Sequence, residues 1–300
     1  MAFRNIIVEN PAYISLKNDQ LLIRTDAEHS VAIEDISALL LENRQITITT
    51  AALSRLGQGG CAVFTCDEKH MPCAVLTPYM QHSREPAVIA AQLAMSEPAK
   101  KRLWQAVVKK KIQNQAACLR LIGKEAESNT LSAMADRVRS GDSENVEATA
   151  AQMYFPLLFG TGFFRGDDED GRNAGLNYGY AILRGSIARS LTVYGFLPAL
   201  GIHHRSTLNA FNLADDLIEP FRPVIDLLVY RNFDEYDTLI PEKKRLLFNC
   251  LNLDILAGGR HHAVSYAVER LIQSLSRAVT EEGTKLILPE LLELEQHRYE

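Results

Sequence analysis

Two carboxylates, Asp216 and Glu219, stand three residues apart in a stretch preceded by the histidine pair His203 and His204. On a helix that spacing puts both acids on one face. Two negative charges so placed repel each other unless a cation lies between them. A hard divalent ion meets that need, and an imidazole joined to carboxylates suits Mn²⁺ or Mg²⁺ better than a soft metal. The same stretch, Gly201 to Pro223, carries Phe211, Leu213 and Leu217, which can anchor a helix in a core. A plainer reading stands beside this one: acids on helices are mostly solvated surface, and adjacent histidines are common in loops. Spacing alone chooses neither between these readings nor between His203 and His204.

The elements that must hold such a site change character along the chain. The first eighty residues carry short β-branched segments bounded by polar turns: Arg4–Val8, Tyr13–Leu16, Leu21–Thr25, Ile46–Thr49, Cys61–Cys66 and Pro72–Thr77. Lys17-Asn18-Asp19-Gln20 suits a hairpin connection, and Ala51–Gln58 a short helix. Gly57-Gln-Gly-Gly60 follows that helix and reads as a turn. Thr77 to Pro86 is poor in apolar residues and reads as a linker. From Ser96 onward the period is helical. Ser96-Glu97-Pro98 is a start signal, after which Leu103, Trp104, Val107, Val108, Ile112 and Ala116 recur at helical spacing. Asp142 and Ser143 can cap a second helix running to about Leu158. Gly160 to Arg172 is a turn-rich break whose acids, Asp167 to Asp170, lack the spacing of a calcium loop. Long helices are expected over Leu176–Phe196, Asn209–Asn232, Glu242–Leu256, Arg260–Glu282 and Leu286–Gln296. The fold class expected is α+β: a β-rich domain over 1–78, a linker over 79–95, and an all-helical domain over 96–300.

Bulk properties exclude several classes. Apolar residues at 47% and charged residues at 23% describe a globular protein. No apolar run reaches the ~20 residues of a bilayer crossing, and the N-terminus lacks a secretory pattern, so no membrane role and a cytoplasmic location are expected. Five scattered cysteines match no paired zinc pattern, although Cys61, Cys66 and Cys73 lie near His70; buried reduced thiols are the expectation. The chain holds no phosphate-loop, nucleophile-elbow or dinucleotide-turn motif. A net charge of −5 speaks mildly against a nucleic-acid coat. Basic residues are nevertheless clustered, as Lys100-Lys101-Arg102 and Lys109-Lys110-Lys111 on one expected helix; either a solvated face or a phosphate contact explains such runs. Arg260-His261-His262 reads as a helix start.

Asn209–Pro223 (NAFNLADDLIEPFRP), preceded by Gly201-Ile-His-His, resembles the metal-binding segment of the universal CRISPR-associated integrase, in the short form that accompanies type II systems. Leu176-Asn-Tyr-Gly-Tyr-Ala-Ile-Leu and the order of parts fit the same family, and the likeness spans essentially the whole chain. The resemblance implies a metal site of Glu147, His204 and Glu219, with Asp216 near it. Glu147 stands in Glu-Ala-Thr-Ala-Ala-Gln-Met-Tyr-Phe, where Ala148 replaces a glycine common in relatives. His204 is preferred because its distance to Glu219 fits the short form. The implied reaction joins the 3′-hydroxyl of a short DNA duplex to a phosphodiester at a CRISPR repeat, and water in place of that hydroxyl makes the site an endonuclease. Lys100, Lys101, Arg102, Lys109, Lys110 and Lys111 then become candidate DNA contacts. The resemblance further implies a homodimer through the β-rich domain, a small ferredoxin-like partner of the adaptation complex, and involvement of the large effector nuclease. Two rivals remain at this level: a catalytically silent nucleic-acid-binding subunit, and a helical metallohydrolase of small phosphate esters.

Overall fold

In the computed structural model, residues 4–77, 85–281 and 283–298 are described. Strand β1 (Arg4–Val8) leads into a hairpin of β2 (Tyr13–Lys17) and β3 (Gln20–Arg24). Its turn residues Asn18 and Asp19 take φ of 51° and 60°, the left-handed pair that a two-residue hairpin needs and these side chains tolerate. There follow β4 (Glu28–Ala32), β5 (Ile36–Leu41), β6 (Thr47–Ile48), helix α1 (Thr50–Gln58), β7 (Ala62–Cys66) and β8 (Pro72–Leu76). The strands form two four-stranded sheets, ordered β4-β3-β2-β6 and β1-β5-β7-β8.

Successive strand residues face opposite ways, and β5 uses both faces. Leu39 and Leu41 join Ile14, Leu21 and Ile23 in a small core. Ala38 and Leu40 instead join Ala62 and Phe64 in the large core built with the helices. A strand covered on both sides reads as an unbroken apolar run, which explains Ala38-Leu39-Leu40-Leu41. β8 is an edge strand, so Cys73 is exposed, unlike the buried Cys61, Cys118 and Cys250.

Helices dominate the remainder: α2 (Glu85–Ala94), α3 (Glu97–Leu121), α4 (Glu125–Arg137), α5 (Val146–Phe159), α6 (Gly171–Val193), α7 (Asn212–Ile218), α8 (Arg222–Asn232) and α9 (Pro241–Phe248). Then come β9 (Asp254–Ala257), β10 (Arg260–Ala263), α10 (Val264–Ala278) and β11 (Pro289–Glu290). α3 is the central rod: Ser96 Oγ caps it by accepting the Ala99 N–H, and Trp104, Val107, Val108 and Ile112 are buried along it. α2 falls within 79–95, the segment read as a linker; residues 79–84 of that reading lie outside the described residues.

Four helices expected from the sequence are interrupted, shortened or replaced. The one expected over 209–232 is interrupted by a tight 3₁₀ turn, Glu219–Phe221. Pro220 and Pro223 supply no N–H and crowd the carbonyls of Asp216 and Glu219, so a straight α-helix cannot run through. The helix expected over 242–256 stops at Phe248, and the one over 260–282 begins only at Val264, because 254–263 is a β-hairpin. Gly258 and Gly259, with φ of 62° and 75°, make its turn. Glu282, the expected end of that last helix, lies outside the described residues. The Leu- and Glu-rich segment 286–296 carries β11, paired with β9, rather than a helix. The larger part is thus mostly helical, with a three-stranded sheet β10-β9-β11 set into it. Among the described residues no helix is long and apolar enough to cross a membrane.

Candidate metal centre

Glu147 sits in the first turn of α5. Asp142 shapes that start: its carboxylate accepts the backbone N–H of Val146 at 2.9 Å and of Glu147 at 3.0 Å, satisfying two donors that a helix end leaves open. Glu219 stands in the 3₁₀ turn that the prolines force between α7 and α8, and it is buried. Asn114 on α3 donates to the carbonyls of Pro220 at 2.7 Å and Pro289 at 3.0 Å, and accepts the N–H of Leu291 at 3.1 Å. One side chain thereby fastens the Glu219 turn and the C-terminal strand to the central helix.

The two glutamates, 72 positions apart in the numbering, meet over one cation. Lys111 Nζ lies 2.6 Å from Glu147 Oε1 and in direct ion-pair contact with Glu219 Oε2. Arg222 Nε donates to Glu219 Oε1 at 2.8 Å. Oε2 receives no aligned hydrogen bond, so its contact with Lys111 is charge against charge. Burial alone raises the Glu219 carboxyl, but the Lys111 ammonium and the Arg222 guanidinium outweigh it and hold the pKa at about 2. Lys111 responds in kind: burial lowers it, and Glu219 and Glu147 raise it above the ordinary lysine value. Its role is thus unlike that of a solvated basic face. Lys109 pairs with Asp136 at 2.8 Å, Lys110 with Glu290 at 3.1 Å and Lys100 with Glu97 at 3.7 Å. Lys101 packs its methylenes over Gly141. Arg102, the last of the basic candidates, lies in α3 beside Leu103 and is exposed.

The histidines occupy the loop before α7. Fully buried Asp216 accepts the backbone N–H of Ile202 at 2.5 Å, of His203 at 3.0 Å and of His204 at 3.0 Å, and contacts His204 Nδ1 at 2.7 Å. A carboxylate oxygen facing the ring accepts, so Nδ1–H donates, and in the neutral ring Nε2 keeps its lone pair. That bond is the largest cause raising the His204 pKa; partial burial opposes it, and Glu219 adds a smaller push upward. The loop turns tightly: a Cβ on Gly201 would lie 2.2 Å from His204 O and 2.8 Å from Asp216 Oδ2. His203 stacks flat on Trp104, with centroids 4.2 Å apart, while His204 meets the same indole edge-on at 5.8 Å. Trp104 lies two turns before Lys111 on α3, about 10 Å along the helix.

The structure therefore brings Glu147 and Glu219 together and leaves His204 on a neighbouring loop. Among the described residues no three His, Cys, Asp or Glu side chains stand close enough to hold one ion. This departs from the three-way convergence expected, and the physical reason is visible: Lys111 fills the place between the carboxylates, and Asp216 holds the imidazole. The donor chemistry still fits a divalent ion. Two carboxylates, the buried Glu219 and the half-buried Glu147, already share one cationic position, and Glu219 Oε2 lacks a directed donor.

A cavity of about 230 Å³ opens beside Lys111 and Glu219, lined also by Gln115, Arg165, Tyr180 and Asp226. Asp226 is buried, takes hydrogen bonds from Tyr154 at 3.1 Å and from Tyr180, and is pushed by burial up to about 6 against the lowering effect of those hydroxyls. Sequence reasoning found the Asp142 cap but missed Asn114, Gln115 and Asp226. Asn114 and Asp226, polar residues in otherwise apolar helical patterns, were the signals available.

Compared with known proteins, the chain matches the family profile CRISPR associated protein Cas1 over residues 6–238. It belongs to the Cas1 family. It is 43% identical, over 305 aligned residues covering 100% of both chains, to the CRISPR-associated endonuclease Cas1 of Neisseria meningitidis serogroup C (strain 8013). The resemblance read from the sequence is thereby shown, and the type II short form is consistent with it. Among solved structures, a casposase bound to integration product superimposes with a TM-score of 0.77 at 19% identity, covering 94% of this chain and 92% of that one. A Cas6-RT-Cas1–Cas2 complex gives 0.71 at 19% identity, covering 96% of this chain and 36% of that one. At such identities these two show a common Cas1-like fold.

Proposed function

We propose that this Cas1-family protein is a metal-dependent DNA integrase and endonuclease of CRISPR spacer acquisition, with Glu147, His204 and Glu219 as its metal-holding residues. The observation that carries the reading is the meeting of Glu147 and Glu219, from two separate elements, over a single cationic position. A bound Mn²⁺ or Mg²⁺ supplies Lewis-acid polarisation of the attacked phosphate and offsets charge in the transition state. The residues of the chain provide the rest. Asp142 and Asn114 hold the two carboxylates in register. Asp216 fixes the His204 tautomer so that Nε2 is the free nitrogen, an outer partner of the kind that orients metal-bound histidines. Arg222 keeps Glu219 ionised. The nucleophile is the 3′-hydroxyl of a short duplex and the leaving group a 3′-hydroxyl at the repeat, so no covalent protein–DNA intermediate arises.

The partners follow from the family: duplex DNA as prespacer and repeat, a second copy joined through the β-rich domain 1–78, a small ferredoxin-like protein, and the large effector nuclease. The relative captured in a Cas6-RT-Cas1–Cas2 complex supports a partner of the Cas2 kind. The place of action is the cytoplasm expected from the sequence. The division proposed is 1–78, 79–95 and 96–300: the small core of strand residues supports an N-terminal unit, while α2 occupies 85–94 and Ala38, Leu40, Ala62 and Phe64 join the large core.

The test is a joining assay on a repeat-bearing plasmid with Mn²⁺, Mg²⁺ or chelator. Glu147→Ala abolishes joining and cleavage and leaves duplex binding largely intact; joining that survives this substitution refutes the site. A second reading, a catalytically silent DNA-binding subunit, is favoured by Lys111 standing where an ion would sit. It prevails if the unaltered protein binds duplex but joins and cuts nothing with either ion.

A further inference from the structure

Lys111 poses a problem for its own site. Its ammonium contacts both Glu147 and Glu219, and a divalent ion held by the same two carboxylates would need that volume. The backbone of α3 cannot yield, because Val107, Val108 and Ile112 lock it into the core. Any movement must come from rotation of the lysine side chain. One turn further along α3 stands Gln115, on the same face as Lys111. It is only 2% exposed, its Oε1 has no hydrogen-bond partner, and it lines the 230 Å³ cavity that Lys111 also lines. A buried acceptor without a donor is costly and rare, and it points to a group that occupies the cavity at least part of the time. The Asp226 carboxylate lines the same space and offers a counter-charge there, against the Arg165 and Arg222 guanidiniums that also line it.

We propose that Lys111 is a two-position cation: it bridges Glu147 and Glu219 when no metal is held, and swings into the adjoining cavity to donate to Gln115 Oε1 when an ion is bound. The inference rests on the reading of Glu147 and Glu219 as metal ligands and adds a positioning role for Lys111 and Gln115. In the first position the lysine keeps the buried Glu219 and the half-buried Glu147 from repelling each other. In the second it leaves them to the ion and satisfies the orphaned amide. Metal affinity is then set by a competition inside the protein and is weaker than the carboxylates alone would give.

Calorimetric titration of Mn²⁺ onto the chelator-stripped full chain tests this. Lys111→Met removes the competitor, and Mn²⁺ binds about tenfold more tightly, a change of about 1.4 kcal/mol. Gln115→Leu removes the acceptor for the displaced ammonium and weakens binding about threefold, roughly a 0.7 kcal/mol change. In the Lys111→Met background the same Gln115→Leu change has no effect, a non-additivity that a merely structural glutamine does not produce. Unchanged or weaker Mn²⁺ binding in a folded Lys111→Met protein overturns the proposal. So does a Gln115→Leu effect that is the same with and without the lysine. If Lys111→Met fails to fold, Gln115→Leu decides alone, and unaltered affinity in it overturns the proposal. Glu147→Ala separates the underlying reading: undiminished Mn²⁺ binding in that variant overturns the metal site itself, and with it the two-position lysine.

Discussion

Asp216→Asn probes how a buried carboxylate readies His204. In the native loop one oxygen, Oδ2, accepts the N–H groups of Ile202 and His203, while Oδ1 accepts the His204 N–H and contacts ring Nδ1 at 2.7 Å. An amide offers only one acceptor oxygen. If that oxygen keeps Ile202 and His203, the NH₂ group faces the His204 N–H, donor against donor, and one backbone donor loses its partner at a cost of ~1–3 kcal/mol. The reverse orientation strands two donors and costs more. The ring nitrogen facing an NH₂ must become the acceptor, so the imidazole proton moves to Nε2 and the lone pair meant for the ion is lost. Changes to such outer partners cost ~10–100-fold in metal affinity or activity. In a chain of this size the stability loss lowers Tm by roughly 2–4 °C per kcal/mol. The assays are a thermal melt, an Mn²⁺ titration and Mn²⁺-dependent joining on the same preparation. A folded Asp216→Asn protein with native Mn²⁺ affinity and joining rate refutes the tautomer argument and removes His204 from the ligand set.

Asp226 gives a pH signature of stability. Burial raises its folded-state pKa to about 6, above the ~3.9 of an unfolded chain, so between those values the folded protein holds a proton that the unfolded one has released. Stability from this group is fully present below about pH 4 and is lost as pH rises through 6, by roughly 3 kcal/mol in all; Asp226→Asn removes that slope from a series of denaturant melts, and a slope that persists refutes the assignment. Gly201→Ala drives a methyl against His204 O and Asp216 Oδ2 and costs about 1–3 kcal/mol, read as a lower Tm together with weaker Mn²⁺ binding; a native Tm means that the loop relaxes. Asn114→Ala frees the Glu219 turn and β11 from α3 and costs on the order of 3 kcal/mol through stranded polar groups, with 289–291 losing amide-exchange protection before the core of α3 does. Protection that stays uniform shows that Asn114 is not the fastening.

The sequence alone determined the order of parts and the chemical inventory. Strand and helix periods, the Asn18-Asp19 turn, the Ser96 and Asp142 caps and the Asp-Leu-Ile-Glu-Pro-Phe-Arg-Pro stretch are local patterns, and local patterns are legible because neighbouring residues generate them. It misread the segments whose conformation neighbours do not control. The Leu- and Glu-rich run 286–296 has helix-forming residues, yet β9 presents an open edge and Asn114 a waiting acceptor, and pairing outweighs propensity. The hairpin at 254–263, by contrast, carries a local signal, the Gly258-Gly259 turn, which the helical reading passed over. Lys111 marks the limit most sharply. In the sequence it is the last of three lysines and reads as surface charge; in three dimensions the crossing of α3 beneath α5 and the Glu219 turn buries that one alone between two carboxylates. Which of several identical side chains faces inward depends on how helices pack across long sequence separations, and only the tertiary structure decides it.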